Sequence, residues 1–227
     1  MKMLDSSTPT EILLKVVESL TVAAGFMGSA FDPYWEGLVN MLLEWESMGF
    51  KVSDPRLKAL NKSWDRLIIG NHEEMRKYIP RFLPRIVNST SQIGNVDGYS
   101  ILEDFRQQME NPGDDEFQIN IQTDKLEIEL ETNLACVELC TTILDYLPNV
   151  MIDSFPLLYQ AVVGEIPFGS FPGVDGILMK LGSALITAMK TVKVPKATII
   201  PGYSGILERF LKITEFDEKF DNICDVS

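Results

Sequence analysis

Apolar residues recur at helical spacing along most of this chain, at positions i, i+3, i+4 and i+7. Thr8 and Pro9 are predicted to be the cap and first-turn residue of the first helix, and Glu11 stands at capping-box spacing from Thr8. The apolar positions of that helix are Ile12, Leu13, Val16, Val17, Leu20 and Ala24. A second helix is predicted to begin near Pro33, with Trp35, Leu38, Val39, Leu42 and Trp45 on one face.

The next two predicted helices are separated by a stop signal at Gly70 and Asn71. The third begins near Asp54-Pro55, and the fourth covers the segment HEEMRKYIPRFLPRIVNS. Pro80 and Pro84 lie within the fourth, and each removes a helix hydrogen bond. We therefore expect a kink or a break there.

The periodicity resumes in the second half of the chain. It predicts a fifth helix from about Lys125 to Tyr146, a sixth from Val150 to about Val163, a seventh from about Val174 to Val192, and an eighth from Ile206 to about Ile213. The Gly/Pro-rich segment GEIPFGSFPGVDG between the sixth and seventh helices predicts a linker.

Together these elements predict an all-α protein whose helices form four antiparallel pairs. The pairs cover residues 8–48, 54–90, 125–163 and 174–213 of a single array spanning residues 1–227. Two helices per unit of roughly 40 to 47 residues is typical of HEAT or armadillo repeats. The predicted fold is therefore a HEAT-like alpha-alpha superhelix, or solenoid. A four-helix bundle with added elements is the alternative.

An acidic insert at about residues 94–124 interrupts this pattern. The alternation of Phe117, Ile119 and Ile121 predicts a strand-like piece that pins the insert to a neighbouring helix. Residues 97–131 hold eleven carboxylates against Arg106 and Lys125. Such a density of negative charge attracts basic segments. The candidate residues for binding a basic partner are Glu110, Asp114, Asp115 and Glu116.

Two other interpretations of the insert stay open. It is either a solvated loop that keeps the array soluble, or a calcium site at Asp114, Asp115 and Glu116. The alternating-ligand pattern of a calcium loop is absent, which disfavours the second.

Composition narrows the functional classes. The 227 residues include 33 acidic and 20 basic ones, for a net charge of -13. Nucleic-acid binding needs a cationic face, so this balance argues against it. The most apolar stretches are interrupted by charges, which predicts no membrane span. We expect a soluble, intracellular protein and a monomer, although the exposed ends of the array leave the oligomeric state open.

Candidate chemistry is sparse. His72, the single histidine, precedes two glutamates and lacks the second histidine that a zinc motif requires, so a solvated helix start is favoured. Cys136 and Cys140 share a helix face; a metal or redox pair is the alternative to small core residues. No phosphate-binding loop or nucleophile elbow is present in the sequence. We expect no enzyme activity and no cofactor.

Four segments, in order, resemble the importin-beta superfamily of nuclear transport receptors, and within it the Ran-binding karyopherin beta-3 branch. They are SWDRLIIG, KYIPRFLPRIVNSTSQ, YSILEDFRQQMENPGDDEFQINI and LEIELETNLACVELCTTILDYLPN, all between Ser63 and Val150. The resemblance fades beyond Gly164. Receptors of this family are much longer, so the resemblance implies that the chain is a fragment or a shortened relative.

The resemblance also implies a function and partners. Such receptors carry cargo through nuclear pores, and Ran in its GTP form controls release. Cargo and Ran bind the concave face formed by the second helices, and Phe-Gly pore proteins dock between first helices on the convex face. The implied partners are basic cargo proteins, Ran-GTP and Phe-Gly nuclear pore proteins. A HEAT-repeat scaffold of a cytosolic assembly, without Ran dependence, is the alternative.

Overall fold

The computed structural model describes residues 9–91, 116–164, 174–194, 203–208 and 211. Its helices are α1 (Thr10–Met27), α2 (Asp32–Ser47), α3 (Pro55–Met75), α4 (Leu83–Ser91), α5 (Glu116–Tyr146), α6 (Phe155–Val163) and α7 (Val174–Thr191). Residues 203–208 are also helical. No β-strand occurs in these ranges, so the all-α prediction is confirmed.

Local sequence signals explain where most of these helices begin. Asp54 caps α3: its carboxylate accepts the backbone N–H of Arg56 at 2.9 Å, and Pro55 occupies the first helical position. Proline also stands in the first turn of α2 and of α6. The capping box predicted for α1 is wrong in its register. Pro9 occupies the N-cap position, which offers no side-chain acceptor, and Thr8 lies outside the described residues.

The backbone breaks where the sequence predicts breaks between the third and fourth helices. Asn71 has non-helical φ and ψ angles of -156° and 69°, which kinks α3 after Gly70. Pro80 lies in a 3-10 turn, Ile79–Arg81, and Pro84 lies in the first turn of α4. The predicted fourth helix is therefore divided into a short helical turn, a 3-10 turn and α4, because each proline removes an N–H donor.

The strand-like piece predicted at Phe117, Ile119 and Ile121 is wrong. α5 begins at Glu116, nine residues before the predicted start, and these three residues lie in its first turns. A five-residue alternation is too short to decide between strand and helix. The residues that follow, among them Gln122, Lys125 and Leu126, favour a helix. Of the predicted insert at residues 94–124, residues 94–115 lie outside the described part.

The first helices of the predicted pairs pack in series: α1 on α3, α3 on α5, and α5 on α7. Residues of α1 with higher numbers contact residues of α3 with higher numbers. Glu18 pairs with Arg66, and a Cβ at Gly70 would lie 3.5 Å from the Cα atom of Gly25. Helices α1 and α3 are therefore parallel, and two glycines allow their close approach.

The same ordering relates α3 to α5. Lys58 contacts Glu131, Asn61 contacts Cys136, and Asp65 contacts Thr142. The residue numbers of the contacting side chains increase along both helices, so α3 and α5 are also parallel. Within the pair formed by α3 and α4 the order reverses. Asn61 contacts Arg85 and Trp64 stacks on Phe82, so those two helices are antiparallel.

The second helices lie beside one another as well. α4 packs against α6, and Gly205 of the segment at residues 203–208 lies against Tyr159 and Val163 of α6. A Cβ at Gly205 would collide with the Tyr159 hydroxyl, so a larger residue there would require the Tyr159 side chain to shift. None of the helices in the described ranges is long and apolar enough to cross a membrane.

One connected core joins these helices. The predicted apolar face of α2 is confirmed, since Leu38, Val39, Leu42 and Trp45 are buried. The predicted apolar face of α1 is wrong at Ile12, whose side chain is half exposed. Thr21 is buried instead, and its hydroxyl is satisfied because it donates to the Val17 carbonyl.

Candidate functional site

The predicted binding residues for a basic partner lie largely outside the described part of the chain. Glu110, Asp114 and Asp115 belong to residues 92–115, which the structure does not describe. Glu116 is the first residue of α5, and only its backbone is described. The acidic binding site and its calcium alternative therefore stay predictions.

The two cysteines of α5 are buried core residues, as predicted. Cys136 and Cys140 are free thiols with no exposed surface. Burial raises the pKa of both, that of Cys140 to about 12, so they stay protonated at neutral pH. Within the described ranges, no group of three or more His, Cys, Asp or Glu side chains is placed to hold a metal ion.

A polar network that spacing in the sequence could not reveal joins four helices at Arg85. The Arg85 network consists of Glu46 in α2, Asn61 in α3, Arg85 in α4 and Cys136 in α5. Arg85 donates to both Glu46 oxygens, at 2.5 and 3.0 Å, and to the Asn61 Oδ1 atom at 2.8 Å. The Asn61 amide donates in turn to the Cys136 sulfur at 3.1 Å.

The Arg85 network is largely shielded from water. The side chain of Glu46 is 11% exposed and that of Arg85 is 24% exposed, and Asn61 and Cys136 are fully buried. The bond from Arg85 to Glu46 is bidentate, which is the geometry that fixes orientation best. The indole N–H of Trp64 points to Glu46 at 3.5 Å, and the Trp64 ring stacks on Phe82. The network therefore fixes how the first two pairs meet α5.

Further polar contacts follow the same α3–α5 interface. The Thr142 hydroxyl donates to Asp65 at 2.5 Å, and Lys58 in the first turn of α3 pairs with Glu131 in the middle of α5. Burial raises the pKa of Asp65, against the opposing effect of the Thr142 hydrogen bond. These contacts lie one to two turns apart, so they fix the longitudinal register of the two helices.

Exposed apolar side chains gather where the first helices end. Because α1, α3 and α5 are parallel, the C-terminal end of α1, the kink of α3 at Asn71 and the C-terminal end of α5 lie on the same side of the layer. We call the residues there the aromatic edge: Phe26, Ile69, His72 and Tyr146. Phe26 is 88% exposed, Ile69 51% and Tyr146 43%. The His72 and Tyr146 rings are 5.3 Å apart and join the α3 and α5 parts of the edge.

The charges near the aromatic edge are unevenly balanced. Arg66 pairs with Glu18, Arg76 with Glu73, and Lys77 with Glu74. Asp145, beside Tyr146, is exposed and has no ion pair among the described residues. The surface thus combines aromatic rings with unneutralised negative charge. The sequence signal was the apolar residues at the ends of predicted helices, but only the parallel packing shows that they lie on one side.

Comparison of the chain with protein-family models, with curated proteins and with solved structures finds no match. The resemblance to importin-beta receptors accordingly stays a hypothesis that depends on the four segments named above. The packing of the helices and the surfaces that it creates are therefore the basis for a functional proposal.

Proposed function

We propose that this chain is a protein-binding segment of a HEAT-like alpha-alpha superhelix, and that it acts in a nuclear import receptor carrying basic cargo under Ran-GTP control. The observation that carries the superhelix is the serial packing of first helices, with α1, α3 and α5 parallel. An antiparallel four-helix bundle also makes alternate helices parallel, but its main packing is between consecutive, antiparallel helices. In a helical-repeat array, equivalent helices of successive pairs are parallel neighbours.

This architecture suits reversible protein binding. Each pair contacts mainly its neighbours, so the array presents extended surfaces and bends by small rotations between pairs. The proposed mechanism is many weak contacts along such a surface, which flexing forms and breaks, without a catalysed reaction. Three of the four segments that resemble the receptor family lie in or next to α3, α4 and α5, and α3 and α4 both pack on α5. Most of the third segment, residues 99–121, lies outside the described residues. Ran-GTP, Phe-Gly pore proteins and a distribution between cytoplasm and nucleus belong to this proposal through the resemblance.

The test is a titration of the chain with a fluorescent Lys/Arg-rich nuclear-localisation peptide at low and near-physiological salt. The variant carries Asp114→Asn, Asp115→Asn and Glu116→Gln. Its matched control removes three carboxylates from the tail, with Glu215→Gln, Asp217→Asn and Glu218→Gln. We expect saturable, salt-sensitive binding that weakens in the first variant and persists in the second. Absence of binding to the unmodified chain would contradict the receptor proposal.

A structural scaffold without Ran dependence is the second candidate, and the exposed apolar side chains of the aromatic edge favour it. A scaffold would bind one partner through that apolar surface, with little response to salt. A co-purified partner that stays bound when the salt concentration is raised, together with no binding of the basic peptide, would support the scaffold over the receptor.

A further inference from the structure

We propose that the aromatic edge is a docking surface for a protein segment that presents arginine or lysine beside apolar side chains. This inference rests on the proposed protein-binding function and assigns it a second surface, separate from the acidic residues 110–116. Three features of the aromatic edge support this inference: its exposure, its charge and the chemistry of its rings.

The first feature is the exposure of the apolar side chains at the aromatic edge. Phe26 follows the close contact of Gly25 with Gly70, and Ile69 precedes it, so both side chains stand at the junction of α1 and α3. Phe26 is the most exposed large apolar side chain in the described residues. Ile69 lies three residues before His72, across the kink at Asn71, and the His72 ring contacts Tyr146. The apolar surface thus crosses three helices, which single exposed side chains elsewhere do not.

The second feature is the negative electrostatic potential at the C-terminal ends of helices. A helix C-terminus carries a partial negative charge, which basic residues in the last turn usually offset. The last turns of α1 and α5 hold no basic residue. α3 continues past its kink to Met75 and carries His72 in its last turn, so the uncompensated ends are those of α1 and α5. These two helix ends, together with Asp145, which has no ion pair among the described residues, produce a negative potential that favours a cation.

The third feature is the attraction of the phenylalanine and tyrosine rings for cations. The faces of phenylalanine and tyrosine rings attract Arg and Lys cations, and the attraction strengthens when water is excluded. Phe26 and Tyr146 supply two such rings near the C-terminal ends of α1 and α5, and the exposed Ile69 of α3, the helix that packs between them, supplies an apolar surface. A purely apolar partner would leave the negative charge at the edge without a compensating positive charge. A purely basic partner would leave the apolar side chains of the edge exposed to water.

The experiment titrates the full chain with a fluorescein-labelled peptide in which arginine and leucine alternate. The edge variant is Phe26→Ser with Tyr146→Ser. Its matched control is Met48→Ser with Leu157→Ser, which removes two exposed apolar side chains from other elements. We expect about tenfold weaker binding in the edge variant and no change in the control. Circular dichroism of each variant checks that the helices are retained.

Charge is tested separately. Asp145→Lys places a cation in the last turn of α5 and should weaken binding several-fold. Asp153→Lys makes the same charge change at another exposed position and should not. Because His72 is the only histidine of the chain, its imidazole proton resonances report directly on the edge. They should shift on peptide addition to the unmodified chain.

The outcomes separate this inference from the proposed function. Binding that survives the edge variant but is lost in the Asp114→Asn, Asp115→Asn, Glu116→Gln variant would overturn the edge and support the acidic site. Equal binding of a peptide with norleucine in place of arginine would overturn the cationic partner. Self-association that disappears in the edge variant, without peptide binding, would identify a second copy of the chain as the occupant and overturn the proposal. If no peptide binds any form, the proposed binding of basic partners fails as well.

Discussion

The interfaces of α5 with α3 and with α7 differ in the kinds of interaction that hold the helices together. The α3–α5 interface combines apolar packing with directional bonds from Asn61 to Cys136, from Thr142 to Asp65, and between Lys58 and Glu131. Within the described residues, no side-chain hydrogen bond or ion pair joins α5 to α7. The buried face of α7 consists of Leu178, Leu181, Ala184, Leu185, Ala188 and Met189.

The difference shows how one helix can meet a rigid neighbour and a more adaptable one. Hydrogen bonds and ion pairs constrain both distance and angle, so the α3–α5 register has one satisfied arrangement. Apolar contacts are non-directional, and their strength follows the area removed from water. We infer that flexing of the array concentrates between α5 and α7, whereas α1 to α5 move together.

The largest expected effect comes from breaking the Arg85 network. Arg85→Met removes the partner of Glu46, whose carboxylate is almost fully shielded, and leaves Asn61 without its donor. We expect a loss of about 3 to 5 kcal/mol in the free energy of unfolding, measured by urea denaturation. Arg81→Met, at an exposed position of the preceding turn, is the control and should change stability little. Adding Glu46→Leu to Arg85→Met should recover part of the loss, because the unpaired carboxylate is then gone.

The apolar interface is tested by Leu185→Ala in α7. Leu185 is fully buried, and its truncation leaves a cavity, so we expect a loss of about 2 to 4 kcal/mol. The exposed Leu157→Ala should cost far less. The Leu185 loss should be the same at low and high salt, since no ionic contact is involved. A salt-dependent loss would show that the α5–α7 interface holds charges in contact and would remove the contrast drawn here.

The sequence predicts the helices better than it predicts the contacts between them. Asp54 and Pro55 predict the start of α3 because a cap acts within a few residues of the chain. Pro80 and Pro84 predict the division of the fourth segment for the same reason. The beginning of α5 was missed because Phe117, Ile119 and Ile121 fit a strand locally, and the neighbouring helix formers decide the outcome.

The candidate surface was beyond sequence reasoning for a physical reason. Glu46 and Arg85 are 39 residues apart, and no periodic pattern relates them. Phe26, Ile69 and Tyr146 stand at the same end of the fold only because three separate helices pack in parallel. The sequence predicts such packing as a class of fold but not as a particular set of neighbours. The acidic residues at 110–116 were identified from charge density alone, which shows where a field arises but not what the residues contact.

A smaller effect is expected at Asp65, and its sign depends on pH. Burial raises the folded-state pKa of this carboxyl, so its protonated form favours folding. That contribution is present below the unfolded pKa, about 3.9, and is lost as pH rises through the folded value. Asp65→Asn imitates the protonated form and keeps an acceptor for Thr142. We expect the variant to be more stable at pH 7 by less than about 1 kcal/mol. The advantage should shrink toward pH 4 in thermal unfolding, and a variant less stable than the parent at pH 7 would contradict this.

The smallest effect is expected at the pair of Lys58 with Glu131, which is the exposed member of the α3–α5 contacts. Surface ion pairs contribute about 0.2 to 1 kcal/mol and are screened by salt, so Lys58→Met should lower stability by a few tenths at low salt and not at 1 M salt. Lys62→Met, at an exposed position of the same helix, is the matched control. The measurement is a double-mutant cycle with Glu131→Gln, because only the coupling between the two side chains isolates their interaction. A coupling that persists at high salt would mean that this end of the interface is as shielded as the Arg85 network. The directional part of the α3–α5 interface would then extend along its whole length, and the contrast with α5–α7 would be larger than drawn here.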